Sequence, residues 1–227
     1  MDRSYIKEIN RDFLVVYKPA GLPVQTARVD RMDLEHWLLR ETADETGRPY
    51  LAVVHRLDQP VEGLLVFARN RKAAANLSRQ VQEGEMVKEY LAVTSSPPEQ
   101  ERGRLTDFLK KDGKNNVSRV VEEGTPGGKR AELQYECLQV SESGQALVRI
   151  RLMTGRHHQI RVQLAQAGMP IAGDRKYGGD AAGAGPLALC AWKLKFRHPV
   201  TGKELLFQCR PAGEQFQNFN GRVFGKD

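Results

Sequence analysis

Apolar residues along the chain fall into short runs, each closed by Gly, Pro or a charge. Phe13–Lys18, Leu51–Arg56, Leu64–Ala68, Tyr90–Thr94, Ala131–Val140, Ala146–Met153, Leu187–Phe196 and Glu204–Cys209 are rich in Val, Leu, Ile, Phe and Tyr, and each predicts a strand. Three stretches carry a helical spacing instead. Leu34–Ala43 follows Asp33, a candidate cap. Arg71–Glu83 follows Asn70, sets Ala74, Leu77 and Val81 on one face and stops before Gly84. His157–Ala167 aligns Ile160, Leu164 and Ala167 and stops at Gly168. The segment from Arg197 to Lys203, with Pro199 and Gly202, predicts a turn between the last two strands, hence a C-terminal hairpin. Strands do not alternate regularly with helices. This disfavours a doubly wound parallel sheet and favours an α+β fold with a mixed, largely antiparallel sheet.

Composition narrows the class. The chain has 227 residues, 28% of them charged and 40% apolar, which suits a globular protein with a sizeable core. Without a convincing linker (the glycine-rich Ala181–Pro186 lies between expected partners of one sheet), residues 1–227 read as a single domain and a monomer. Apolar runs fall short of the roughly 20 residues of a membrane span, and Phe13–Tyr17 is too short for the core of a signal peptide. Cys137, Cys190 and Cys209 are odd in number and far apart, which speaks against a disulfide framework or a cysteine zinc site and for a reducing cytoplasm.

The net charge is +7. Much of the excess lies between Arg102 and Arg130, where eight basic residues face four acidic ones on a glycine-rich stretch that reads as a strand-poor, basic loop. Arg149, Arg151, Arg156 and Arg161 form a second basic group. Such a surface can neutralise phosphates, and it can equally be a solvated face.

Familiar catalytic machinery is missing: there is no P-loop, no H-E-x-x-H and no G-x-S-x-G. His157 and His158 are adjacent, so on a helix they would point about 100° apart and would not share a metal. Two segments stand out. Val53 to Ala68 runs as an apolar strand into a polar tip with His55, Arg56 and Asp58, turns through Pro60 and Gly63, and returns as an apolar strand. A carboxylate at the end of a rigid strand is well placed for a reaction, although an Asp in a turn can also simply bond its own backbone. Met153 to Leu164 ends a strand at Gly155 and begins a helix dense in donors, where Arg161 can serve an anion or a structural ion pair.

His55-Arg56-Leu57-Asp58 followed by Gly63-Leu64-Leu65, together with Gly155-Arg156-x-His158-Gln159-Ile160-Arg161, resembles the RluA family of RNA pseudouridine synthases. Further motifs agree in order: Lys18-Pro19-Ala20-Gly21, Tyr90-Leu91-Ala92, Gly173-Asp174-x-x-Tyr177-Gly178 and His198-Pro199-x-Thr201-Gly202. The resemblance implies a pseudouridine synthase fold with an RNA cleft across its middle, and isomerisation of specific uridines in ribosomal or transfer RNA. Asp58 would be the catalytic aspartate. Tyr90 would lie against the target base and serve in proton transfer, and Arg161 would pair with Asp58. Arg56 would displace the target nucleotide, and Ile160 would form part of the apolar wall. His55, Leu57, Arg156, His158 and Gln159 would line the substrate site with them. The isomerisation gains and loses no electrons, so no redox cofactor is required; no other cofactor and no metal is expected. The partner is RNA, with no membrane and no obligate protein partner.

Many relatives carry an N-terminal S4 domain, whereas the matches here begin near Phe13, so none is expected. Four residues depart from the family's commonest pattern: Val61 and Glu62 where Thr-Ser is frequent, His157 where Thr is frequent, and Gln163 where His is frequent. They bear on the fit to RNA, and Glu62 would oppose a close phosphate. Two other readings are possible: a non-catalytic RNA-binding module on the same fold, and an unrelated hydrolase using Asp58 with His55 or Glu62.

Overall fold

A computed structural model of the chain describes residues 2–28, 30–43, 50–179, 183–219 and 221–224. In chain order its elements are β1 (Ile6–Ile9), β2 (Phe13–Lys18), α1 (Leu34–Glu41), β3 (Ala52–Val53), β4 (Glu62–Ala68), α2 (Arg71–Gln82), β5 (Val87–Thr94), β6 (Arg102–Asp112), β7 (Val117–Val121), β8 (Lys129–Val140), β9 (Ala146–Leu152), α3 (Gln159–Gln166), β10 (Leu189–Arg197) and β11 (Glu204–Gln208). The chain divides into two compact units: Met1–Lys88 with Ala191–Cys209, and Glu89–Cys190 with Arg210–Asp227.

In the first unit β1 pairs with β2 and β2 with β4, both antiparallel; β10 lies beside β4, and β11 pairs antiparallel with β10. Every residue of β2 and β4 is buried. That explains why both read as continuous apolar runs without alternation, the pattern of strands covered on two faces. Burying each Leu or Val side chain contributes on the order of 2 kcal/mol, enough to hold even Lys18 and Glu62 at the strand ends inside. Asn70 caps α2, its side chain accepting from the Ala73 N–H at 2.9 Å. Asp33 caps α1 in the same way, accepting from the His36 N–H at 2.8 Å.

The second unit is an antiparallel array in the order β5-β9-β8-β6-β7. Leu109 of β6, Ala131 of β8 and Val162 of α3 form a small core with Val120 and Tyr177 against it. The α+β, largely antiparallel class expected from the sequence is the class observed.

Three local expectations need correction. The Arg102–Arg130 stretch is not strand-poor: it contains the eleven residues of β6 and the five of β7. Leu105 and Leu109 are its only aliphatic anchors in β6, and pairing with β8 along Arg102–Leu109 supplies what local propensity lacks. Leu51–Arg56 is a strand only at Ala52–Val53. Helix α3 begins at Gln159, not His157, because His158 takes a left-handed backbone with φ 55°. Strand β1, with the sequence Ile-Lys-Glu-Ile, was too polar to stand out. Ala181 and Ala182 of the glycine-rich segment lie outside the described residues.

Candidate active site

In the first unit the chain leaves β3 and passes His55, Arg56 and Leu57 to a turn at Asp58, where the Val61 N–H donates to the Asp58 carbonyl at 3.0 Å. This turn is clamped to the loop after β2. Gln59 accepts from the Gly21 N–H at 2.9 Å through its carbonyl, and its side-chain amide donates to the Gly21 carbonyl at 2.9 Å. Lys18, wholly buried, donates to the carbonyls of Pro19 (3.0 Å), Leu22 (2.8 Å) and Gln59 (3.0 Å). These three bonds use all the protons of the ammonium. Burial pushes the Lys18 pKa down to about 7, against the opposing pull of the Asp58 and Glu62 carboxylates. Lys18 therefore holds Asp58's turn mechanically and places positive charge among two carboxylates.

Asp58 is half-buried and Arg56 exposed, while Leu57 is buried. His55 accepts from the Val66 N–H at 3.2 Å through Nε2. Burial, with a smaller effect from Lys88, pushes its pKa down to about 3, so the ring is neutral at ordinary pH. Glu62 is 5% exposed and accepts a hydrogen bond from the Tyr17 hydroxyl. Its charge is thus turned into the protein instead of toward a phosphate. Gly63 has a φ of 119°, and a Cβ there would fall 2.4 Å from the Ala191 carbonyl oxygen. The return strand after Asp58 can approach β10 this closely only with glycine.

In the second unit Tyr90 lies buried on β5, opposite Ile150 of β9. Arg161 lies on α3 and forms a bidentate pair with Asp174: Nε to Oδ2 at 2.8 Å and Nη2 to Oδ1 at 2.7 Å. The guanidinium also lies over the Tyr177 ring, 5.1 Å from its centre. The loop carrying Asp174 turns at Gly173, where φ is 74° and a Cβ would fall 2.0 Å from the Pro186 carbonyl oxygen. Ile160 is buried beside Arg161 in sequence.

The turn before α3 is held by the buried Gln159 side chain. Its oxygen accepts from the Thr154 hydroxyl (2.7 Å) and the Arg156 N–H (2.9 Å), and its nitrogen donates to the Glu132 carbonyl (3.0 Å) and Gln163 Oε1 (3.0 Å). Arg156 is exposed and donates from Nε to the Arg130 carbonyl at 2.9 Å. His158 Nδ1 is 2.7 Å from the Tyr177 hydroxyl. Its pKa is pushed down to about 3, first by burial and then by the nearby Arg161, His157 and Lys176, against Asp174. The two histidines are not splayed on a helix; their rings stack with centres 3.7 Å apart. Among the described residues no three His, Cys, Asp or Glu side chains gather to hold a metal ion, and no helix is long and apolar enough to cross a membrane.

Sequence reading missed Lys18, Asp174 and Tyr177 as working parts of these two regions. All three lie in motifs that were visible, but a motif does not say which side chain faces inward.

Comparison with known proteins identifies the family. Residues 12–166 match the family model described as RNA pseudouridylate synthase. An uncharacterized RNA pseudouridine synthase of Bacillus subtilis, YhcT, is 32% identical over 90% of this chain and 67% of its own length. The dual-specificity RNA pseudouridine synthase RluA of Escherichia coli is 34% identical over 86% of this chain and 87% of its own length. The solved structure of human RNA pseudouridylate synthase domain containing 4 superposes with a TM-score of 0.78 at 23% identity, covering 95% of this chain and 91% of the other, which shows the shared fold. The chain belongs to the RNA pseudouridylate synthase family, in the RluA group that its motifs resemble. It is an isomerase that turns uridine into pseudouridine in RNA.

Proposed function

We propose that the chain modifies specific uridines of structured ribosomal or transfer RNA, with Asp58 as the catalytic carboxylate. The observation that carries this reading is the clamped turn: Lys18 and Gln59 hold Asp58 half-buried in the turn that leads into the apolar strand β4. A carboxylate acts as nucleophile, or stabilises an electron-deficient sugar, only when ionised. The family resemblance gives Arg161 the task of keeping that carboxylate charged against desolvation. Tyr90 stacks on the uracil and moves the proton that leaves C5. Arg56 helps displace the target nucleotide from its stack, and Arg156 binds the substrate. Ile160 and Leu57 give apolar walls, and His55, His158 and Gln159 shape the substrate site by holding its loops. The flipped base costs a few kcal/mol to unstack, which favours loop uridines. The enzyme works as one catalytic domain and as a monomer, in the cytoplasm, without a cofactor.

Joining C5 to C1′ expels the hydrogen on C5. Transfer RNA and ribosomal RNA transcripts tritiated at that position therefore report the reaction. Release by the wild type, and none by Asp58→Ala with RNA binding retained, is the expected result. Full activity of Asp58→Ala on the same transcript would show the assignment to be wrong. Tight binding to both RNAs without turnover by the wild type would favour a non-catalytic module.

A further inference from the structure

Of the four residues that depart from the family's commonest pattern, Val61, Glu62 and Gln163 are buried. Gln163, for instance, donates to Asp107 Oδ2 at 2.6 Å inside the second unit. His157 is different: it is half-buried, and both its ring nitrogens face the tip of the β6–β7 hairpin. Nε2 lies 3.1 Å from Asn116 Oδ1 and Nδ1 lies 2.9 Å from Ser118 Oγ. An amide oxygen only accepts, so Nε2 carries a hydrogen, and in the neutral ring Nδ1 accepts from the Ser118 hydroxyl.

Neighbouring bonds reinforce the link. The Ser118 N–H donates to the Tyr177 hydroxyl at 2.7 Å, the same hydroxyl that meets His158. Lys176 Nζ donates to the Asn116 carbonyl at 2.7 Å. Asn116 itself takes a left-handed backbone, φ 50°, at the turn. The hairpin tip is thus tied at two residues to the segment that opens α3. Around that tip Lys110, Lys111, Lys114 and Arg119 are exposed. A hairpin joined only through β8 would move these cations freely. A tethered one presents them with less ordering cost when a polyanion binds.

We propose that His157 is a positioning residue that latches the basic β6–β7 hairpin to the head of α3 and so sets the grip on RNA. The inference rests on the RNA-modifying reading above. A threonine at this position has one hydroxyl and cannot span both Asn116 and Ser118. The latch is therefore a property of this chain and not of its motif.

The test compares His157→Thr, Asn116→Gly and the double variant on whichever transcript the wild type turns over. Asn116→Gly deletes the amide oxygen but keeps the left-handed turn available. Each single variant should raise KM about tenfold, as loss of one or two net hydrogen bonds implies, with kcat within about twofold. The double variant should be no worse than His157→Thr alone, because Asn116→Gly cuts only one of the two bonds that the histidine makes. His157→Gln, which keeps a donor and an acceptor, should restore part of the affinity. Hydrogen exchange should quicken at the amides of 113–117 in each single variant and stay unchanged in α3. Unchanged KM, additive losses, or unchanged exchange at the hairpin tip would overturn the proposal. Absence of turnover by the wild type would instead strike the reading of the preceding subsection. Exchange and direct RNA binding would then still decide on the latch.

Discussion

Arg161 and Asp174 face each other thirteen residues apart in sequence as a two-bond ion pair with almost no exposure, 5% for the arginine and 1% for the aspartate. Such a pair is expensive to desolvate, and leaving one half alone is worse than removing both. Asp174→Asn keeps the shape but takes the negative charge out of the buried two-bond pair. The expected loss of stability is about 3 kcal/mol, read as a lower urea midpoint with an unchanged slope. Arg161→Lys cannot reproduce the fork geometry and should also lose stability. An Asp174→Asn protein as stable as the wild type would mean the pair is incidental.

His55 and His158 both have pKa values pushed down to about 3. The unfolded chain, with ordinary histidines near 6.5, binds more protons than the folded one between these values. Stability contributed by each neutral ring is therefore complete above about pH 6.5 and falls as the pH drops, by up to about 1.4 kcal/mol per pH unit for each ring. Proton NMR should show the two ring signals constant from pH 8 down to about pH 4. A ring that titrates near pH 6.5 would contradict its assigned burial.

Lys18 gives a second window of the same sign, higher in pH. Its folded pKa of about 7 lies below its ordinary 10.5, so between these values the unfolded chain binds the extra proton and stability rises with pH. Lys18→Met should lose that rise. It should also cost about 3 kcal/mol, because three carbonyls lose their donor and Asp58 and Glu62 lose their cation. Denaturant titrations at pH 7 and pH 10 on both proteins measure this directly. The same slope in wild type and variant would remove Lys18 from the account.

Gly63 and Gly84 separate strain from crowding. Both have positive φ, 119° and 73°, but a Cβ at Gly63 meets the Ala191 backbone at 2.4 Å while one at Gly84 meets nothing within 4 Å. Gly84→Ala should cost about 1 kcal/mol. Gly63→Ala should cost more than about 4 kcal/mol, since two strands must part. Thermal melting of the two variants side by side checks the difference. Equal losses would show that the contact with Ala191 relaxes.

Much of this architecture is legible in the sequence. Phe13–Lys18 was read with the boundaries it has, because an uninterrupted apolar run closed by Pro19 is a local signal. Arg71–Glu83 was read to within a residue, because its cap Asn70, its apolar spacing and Gly84 are all local as well. The turn at Asp58 stood out for the same reason. The missed hairpin had no such signal. Strand β6 alternates charges with few anchors, and its pairing with β7 and with β8, some twenty or more residues on, makes it a strand.

The site divides the same way. Residue types and their order alone determined the family, the turn that presents Asp58, and the helix that carries Arg161. The tertiary structure alone decided that Lys18 is buried under three carbonyls, that Arg161 answers Asp174, and that His157 reaches across to Asn116 and Ser118. Local sequence sets backbone conformation through sterics and spacing over a few residues. Which charges lose water, and which donors meet which acceptors, depends on chain segments brought together from a distance.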